Sequence, residues 1–205
     1  MRINVTDEKL PGVRVIEHEP FTDQRGFFYE SHSRRTLAAA LGIDLEFVQD
    51  NHSRSVRDVV RGLHYQAPPA QQWRLVRCTV GEIYDVVVDI DEGSHTFGRS
   101  LSIVLTASNH RQLLIPPSYA HGFAALSEVA EVQYKCTAFH APSSERTIHF
   151  ADPDLNIAWP VADPITSTKD ATARSFREYS AHPDFPAPSI RRPAVAAGAA
   201  NGGQR

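Results

Sequence analysis

Two cysteines and one methionine occur in 205 residues, and 21 basic against 24 acidic side chains leave a net charge of only −3. A charge so near zero supplies no basic field for nucleic acid or an anionic membrane, so neither is expected as a partner and anionic ligands must be met by local arginines. No apolar run approaches the roughly 18 residues of a membrane span, and no charged-then-apolar leader opens the sequence. The expectation is a soluble, cytoplasmic protein. Cys78 and Cys136 lie far apart with no C-x-x-C between them, which favours buried thiols over a disulfide or metal pair. Also missing are G-x-G-x-x-G, G-x-x-x-x-G-K and G-x-S-x-G strings, and with them the case for Rossmann, P-loop or hydrolase chemistry. The ten histidines include no pair separated by two or four, so neither H-x-H nor H-E-x-x-H exists. No metal is expected, although distant strands could still assemble a facial triad.

What the sequence does hold is a β rhythm. From Trp73 to Phe150, short β-branched and aromatic stretches alternate with Gly, Pro and Ser breaks roughly every ten residues, the pattern of an antiparallel sandwich or barrel. The stretches are 73–80, 82–90, 101–105, 111–115, 121–126, 131–137 and 146–150, with further strands at 13–16, 27–30 and 47–51. Ser33 ahead of Arg34 to Leu41, with Gly42 after it, reads as one capped helix, and Thr172 to Tyr179 as a second. Within 82–90, Tyr84, Val86, Val88 and Ile90 share one face, and Ile83, Asp85, Val87 and Asp89 the other. Carboxylates so placed either face solvent or line a polar cavity, and for this strand taken alone the solvated outer face is expected. One domain over residues 1–182 is expected, followed by a Pro/Ala/Gly-rich tail over 183–205 too poor in large apolar groups to fold or to add function.

Without a cofactor loop, the available chemistry is proton transfer by His, Tyr, Asp, Arg and Lys. In Arg61-Gly62-Leu63-His64-Tyr65-Gln66 a cation and a histidine stand three apart before the Pro68-Pro69 break, and Arg74 follows. Taken alone, His64 is more often a structural histidine than a base. Its context changes that weighting. Asp23-Gln24-Arg25-Gly26-Phe27-Phe28-Tyr29-Glu30, Phe47-Val48-Gln49-Asp50-Asn51-His52-Ser53, Arg61 to Gln66, Pro116-Pro117 with Ala120-His121-Gly122-Phe123, Tyr134-Lys135, and Asp152-Pro153-Asp154-Leu155 with Trp159-Pro160 follow one another in register. In this order the chain resembles the dTDP-4-dehydrorhamnose 3,5-epimerase family of cupin-fold sugar-nucleotide epimerases, over about residues 10–170.

The resemblance implies an all-β cupin jelly roll with short peripheral helices. It also implies a homodimer that exchanges an N-terminal strand, a dTDP-sugar substrate and no cofactor. It assigns His64 as base, Asp170 as the carboxylate orienting it, and Tyr134 as the acid on the far side of the sugar. Arg25, Glu30, Gln49, Asn51, Arg61, His121, Glu145 and Lys169 match substrate-binding positions, with Arg25 and Arg61 as diphosphate clamps. Phe139 matches a ring that stacks on thymine, while Phe27 is expected to pack. Arg74 stands where the family usually has a lysine that stabilises the enolate oxygen. Arginine keeps the charge but changes its shape and cannot give up its proton. Compositional drift also accounts for it, since the chain has 18 arginines and three lysines, yet two of those lysines, Lys135 and Lys169, fall on family positions. Epimerisation at both C3 and C5 is therefore the first expectation, a single-site epimerase the second. From another class stand a non-catalytic nucleotide-sugar binder and a metal-dependent cupin.

Overall fold

The computed structural model describes residues 3–186. Its strands are β1 (Ile3–Asp7), β2 (Arg14–His18), β3 (Phe21–Asp23), β4 (Gly26–Phe28), β5 (Gln49–Val56), β6 (Val60–Gln66), β7 (Arg74–Val80), β8 (Glu82–Asp89), β9 (Ser100–Thr106), β10 (Arg111–Ile115), β11 (Tyr119–Ala125), β12 (Val129–Cys136) and β13 (Glu145–Thr147). Three short helices accompany them: α1 (Arg34–Leu41), α2 (Thr168–Ala171) and α3 (Phe176–Ala181). Six strands form one sheet in the order β1-β2-β10-β7-β12-β5, five form a second in the order β13-β6-β11-β8-β9, and β3-β4 is a separate hairpin. Neighbouring strands pair antiparallel throughout. The two sheets face each other across a core to which Val76, Val132 and Leu113 contribute from one side, and Ile83, Val87, Leu105 and Phe123 from the other. This is the expected all-β jelly roll.

Helix α1 begins and ends where local chemistry dictates. Ser33 accepts a hydrogen bond from the Thr36 N–H, and Gly42 adopts the left-handed conformation that closes the last turn. The C-terminal helix divides instead of running from Thr172 to Tyr179. Ser167 caps α2, and a Ser175/Glu178 capping box starts α3 afresh, because Arg174 between them is extended and bridged to Ile148.

Strand β8 reverses the expectation for its carboxylates. Asp85 and Asp89 are 0% and 1% exposed and share the interior face with Ile83 and Val87. The all-apolar face of Val86, Val88 and Ile90 points outward, where Phe176, Tyr179 and Phe185 of the C-terminal segment cover it. A covered outer face requires apolar residues, and a polar interior can hold acids. The same segment moves the domain boundary. Phe185 is buried and its carbonyl accepts from the Glu92 N–H, while Asp184 accepts from the Tyr65 hydroxyl, so the folded unit extends past 182. The remainder of the expected tail, 187–205, lies outside the described residues. Both cysteines are buried free thiols.

Candidate active site

The space between the sheets opens into a cavity of about 410 Å³. Its walls explain a weak patch in the sequence pattern. Strand β5 turns Gln49, Asn51 and Ser53 inward, so its interior face is polar and carries none of the apolar alternation that marks its neighbours. The opposite wall comes from β6 and β11, where His64 and His121 are paired in register. These two strands approach closely at Gly62 and Gly122. A Cβ on Gly122 would stand 2.6 Å from the Arg61 carbonyl oxygen, and one on Gly62 would stand 2.6 Å from the Gly122 Cα. Only glycine at both positions allows this contact.

His64 lies with Nε2 2.6 Å from Asp170 Oδ1. Asp170, 3% exposed, donates its backbone N–H to the capping Ser167 hydroxyl at 3.1 Å, and its carboxylate also accepts, at 3.5 Å, from the Gly62 N–H. Burial by itself pushes the Asp170 carboxyl up, but the hydrogen bond and charge of His64, with Ser167 and Gly62, hold it below the usual carboxylate range. An ionised Asp170 accepts from Nε2–H, which leaves the ring's lone pair on Nδ1. A second dyad stands beside the first. Nε2 of His121 lies 3.0 and 2.9 Å from the two oxygens of Asp85, whose carboxyl is pushed up by burial against the pull of His121 and Arg74.

Across the cavity, β12 carries Tyr134, paired in register with Asn51 of β5 and Val76 of β7. Burial raises the Tyr134 hydroxyl pKa, opposed by the positive charges of Arg74 and Arg61, so the phenol stays protonated at neutral pH. Arg74 is 8% exposed, and its guanidinium donates to the His64 carbonyl at 2.8 Å. Burial lowers its pKa, while the Cys136, Tyr134, Glu145 and Asp85 side chains pull it back. With the Gln72 amide oriented to donate to the Ala138 carbonyl, its oxygen accepts from Arg74 Nε at 3.2 Å. Arg61 is held against the wall by Ser55 at 3.0 Å and the Arg54 carbonyl at 3.2 Å. At the rim, Glu145 lies 2.7 Å from Lys169 and 3.5 Å from His140. Lys169 and His140 take its carboxyl below the usual range although burial alone would raise it. Among the described residues no three His, Cys, Asp or Glu side chains converge as a metal-binding set.

A family model described as dTDP-4-dehydrorhamnose 3,5-epimerase matches residues 7–178. The chain belongs to the dTDP-4-dehydrorhamnose 3,5-epimerase family. It is 49% identical over 175 residues to the dTDP-4-dehydrorhamnose 3,5-epimerase of Pseudomonas aeruginosa, covering 85% of this chain and 96% of that one. Among solved structures, it resembles the dTDP-6-deoxy-D-glucose-3,5-epimerase of Legionella pneumophila Philadelphia 1 in complex with dTDP-4-keto-L-rhamnose. That match has a TM-score of 0.83 and 44% identity over 86% of this chain and 94% of the other. It also resembles ChmJ, a 3'-monoepimerase from Streptomyces bikiniensis in complex with dTDP-quinovose, with a TM-score of 0.83 and 30% identity over 87% and 91%.

Of the residues that the epimerase resemblance singled out, His64, Tyr134, Arg74, Gln49, Asn51, Arg61, His121 and Glu145 line the cavity. Asp170 and Lys169 join it through His64 and Glu145. Three do not meet it. Arg25 sits at the tip of the β3-β4 hairpin, 90% exposed and paired with Asp23. Glu30 lies near α1, where its carboxylate accepts from Thr36 at 3.4 Å. The Phe139 ring is 69% exposed, while the neighbouring backbone is tied to the site by the Phe139 carbonyl, which accepts from Gln66, and the His140 N–H, which donates to Gln49. Phe27 touches the rings of His110 and Tyr29 yet stays 59% exposed. Sequence reasoning missed Ser53, Gln66, Gln72 and His140 as lining residues and set Asp85 aside. For Ser53 the signal was present as period-two continuation of Gln49 and Asn51.

Proposed function

We propose that this chain is a cofactor-independent epimerase that inverts C3 and C5 of dTDP-4-dehydro-6-deoxy-D-glucose, giving dTDP-4-dehydro-L-rhamnose. The observation that carries this reading is that His64 and Tyr134 stand on facing sheets around one cavity. The C4 ketone acidifies the hydrogens at C3 and C5. Nδ1 of His64 takes one of them, and the electron pair moves onto the ketone oxygen as an enolate. Asp170 supports the imidazolium, and the Arg74 charge offsets the enolate oxygen. The Tyr134 hydroxyl returns a proton to the opposite face of the carbon, and solvent restores both groups before the second carbon is treated alike. Proton transfer of this kind requires only an acid, a base and charge compensation.

Binding follows the same reading. Arg61 clamps the diphosphate, with Gln49, Asn51, His121, Glu145 and Lys169 around the sugar nucleotide and Phe139 against thymine. Arg25 and Glu30 act across a homodimer formed by exchange of N-terminal segments. The β3-β4 hairpin supports this, since Phe21, Phe27 and Phe28 flank Arg25 and are 67%, 59% and 69% exposed. The cytoplasm is the location consistent with two unpaired buried thiols.

A second reading, epimerisation at one carbon, is favoured by Arg74, whose guanidinium is tied to the His64 carbonyl and replaces the flexible ammonium of a lysine. Turnover of dTDP-4-dehydro-6-deoxyglucose in deuterium oxide separates the two. Deuterium at both C3 and C5 is expected, deuterium at one carbon alone establishes the second reading, and absence of exchange at both removes epimerisation.

A further inference from the structure

Asp170 sits on a helix of four residues, too short to hold itself in place. Upstream, Ile165 is bridged to Val59, and downstream the Arg174 carbonyl accepts from the His149 N–H at 2.9 Å. Beyond these backbone ties, the segment grips β6 a second time through side chains. The Arg174 guanidinium donates to both the Tyr65 hydroxyl and the Asp184 carboxylate, and Tyr65 donates to the same Asp184 oxygen at 2.6 Å. Arg174 also lies over the Tyr179 ring at 4.8 Å. The cluster is seated on apolar packing, with Tyr65, Tyr179 and Phe185 at most 1% exposed.

Tyr65 follows His64 in β6, and their side chains leave the strand on opposite faces. Asp170 therefore holds His64 from one face, and four residues later in the same segment Arg174 holds Tyr65 from the other. Asp184 closes the loop 14 residues after Asp170. We infer that Tyr65, Arg174 and Asp184 form a latch that fixes the Asp170 helix against His64, and are positioning residues acting through Asp170. A small displacement of a hydrogen-bonding partner at a reacting centre costs rate without altering substrate contacts, so the latch governs kcat and leaves KM unchanged. The residues at 184 and 185, at the edge of a segment with no evident chemistry, become part of the catalytic framework.

This inference rests on the reading of His64 as the base, and its test has one arm that needs no turnover. Tyr65→Phe keeps the ring and removes the hydroxyl, and Asp184→Asn keeps the shape and removes the charge. Each is expected to lower kcat about tenfold with KM within about twofold, and to add nothing further in an Asp170→Asn background. In the unliganded protein, the low-field proton resonance of the His64 ring N–H bound to Asp170 is expected to shift or broaden in both variants and to vanish in Asp170→Asn. Variants that melt earlier yet keep wild-type kcat and an unmoved resonance would overturn the latch. So would an equal loss of kcat with Asp170 already replaced. A resonance that moves in a protein with no epimerase turnover supports the latch and removes the epimerase reading alone.

Discussion

Nε2 of His64 and Oδ1 of Asp170 stand 2.6 Å apart although they are 106 positions apart in the chain. The carboxylate is 3% exposed and the imidazole is about one-third exposed at the cavity wall. One partner is thus dry and fixed, and the other faces the cavity. This is the arrangement that a general base requires, because orientation comes from behind and access from in front.

The first consequence concerns His64 as the proposed base. His64→Ala is expected to abolish solvent exchange into substrate, and Asp170→Asn to reduce it by about 10²-fold, within the usual range for general base catalysis. Proton NMR of the sugar in deuterium oxide reads both. Wild-type exchange in His64→Ala would mean that another group takes the proton.

In the proposed mechanism, Tyr134→Phe separates the two halves of the reaction. With the hydroxyl gone, His64 still removes and returns a proton on its own face, so exchange is expected to continue while inversion falls by about 10²-fold or more. Chiral analysis of labelled product measures the ratio. Equal loss of exchange and inversion would mean that Tyr134 acts before the enolate forms.

In the proposed mechanism Arg74 contributes through charge. Arg74→Met is expected to lower kcat by about 10²-fold, the cost of removing one stabilising group beside a developing oxyanion, and Arg74→Lys to recover most of it. The deuterium ratio between C3 and C5 in Arg74→Lys shows whether the guanidinium also sets regiochemistry. An Arg74→Met enzyme with wild-type kcat would leave the enolate oxygen to another donor.

The depressed Asp170 carboxyl sets a pH dependence of stability. Its folded pKa lies below the ordinary value of 3.8, so its contribution is fully present above that pH and is lost as the pH falls toward the folded value. Urea unfolding from pH 7 to pH 2 is expected to show wild type and Asp170→Asn converging at the acid end. A constant gap between the two curves would mean that ionisation of Asp170 is not what stabilises.

Gly122→Ala tests the strand contact beneath the dyads. The added methyl would meet the Arg61 carbonyl at 2.6 Å and the Gly62 Cα at 3.1 Å, both backbone atoms. A loss of about 1–3 kcal/mol in stability is expected from overpacking of this kind, read from the urea midpoint. A change under about 0.5 kcal/mol would show that β6 and β11 can separate without penalty.

The sequence by itself determined the β class, helix α1 with its Ser33 and Gly42 caps, and the residue types of the site, because alternation, capping and motif order are local signals. Strand β5 was legible only as far as Asn51, since its cavity face is polar and hides the period-two pattern that the rest of the strand follows to Val56. Asp85 and Asp89 were set on the wrong side of the sheet for a related reason. Alternation separates the two faces of a strand but does not say what covers each, and here the C-terminal segment covers the apolar one. The split of the C-terminal helix, the place of Asp184 and Phe185, and the distance of Arg25 from the cavity likewise came from the tertiary structure alone. The residues proposed to carry the chemistry can be named from the chain. Which of them meet depends on sheet register and on the segments packed over it, and these are fixed by contacts between residues far apart in the chain.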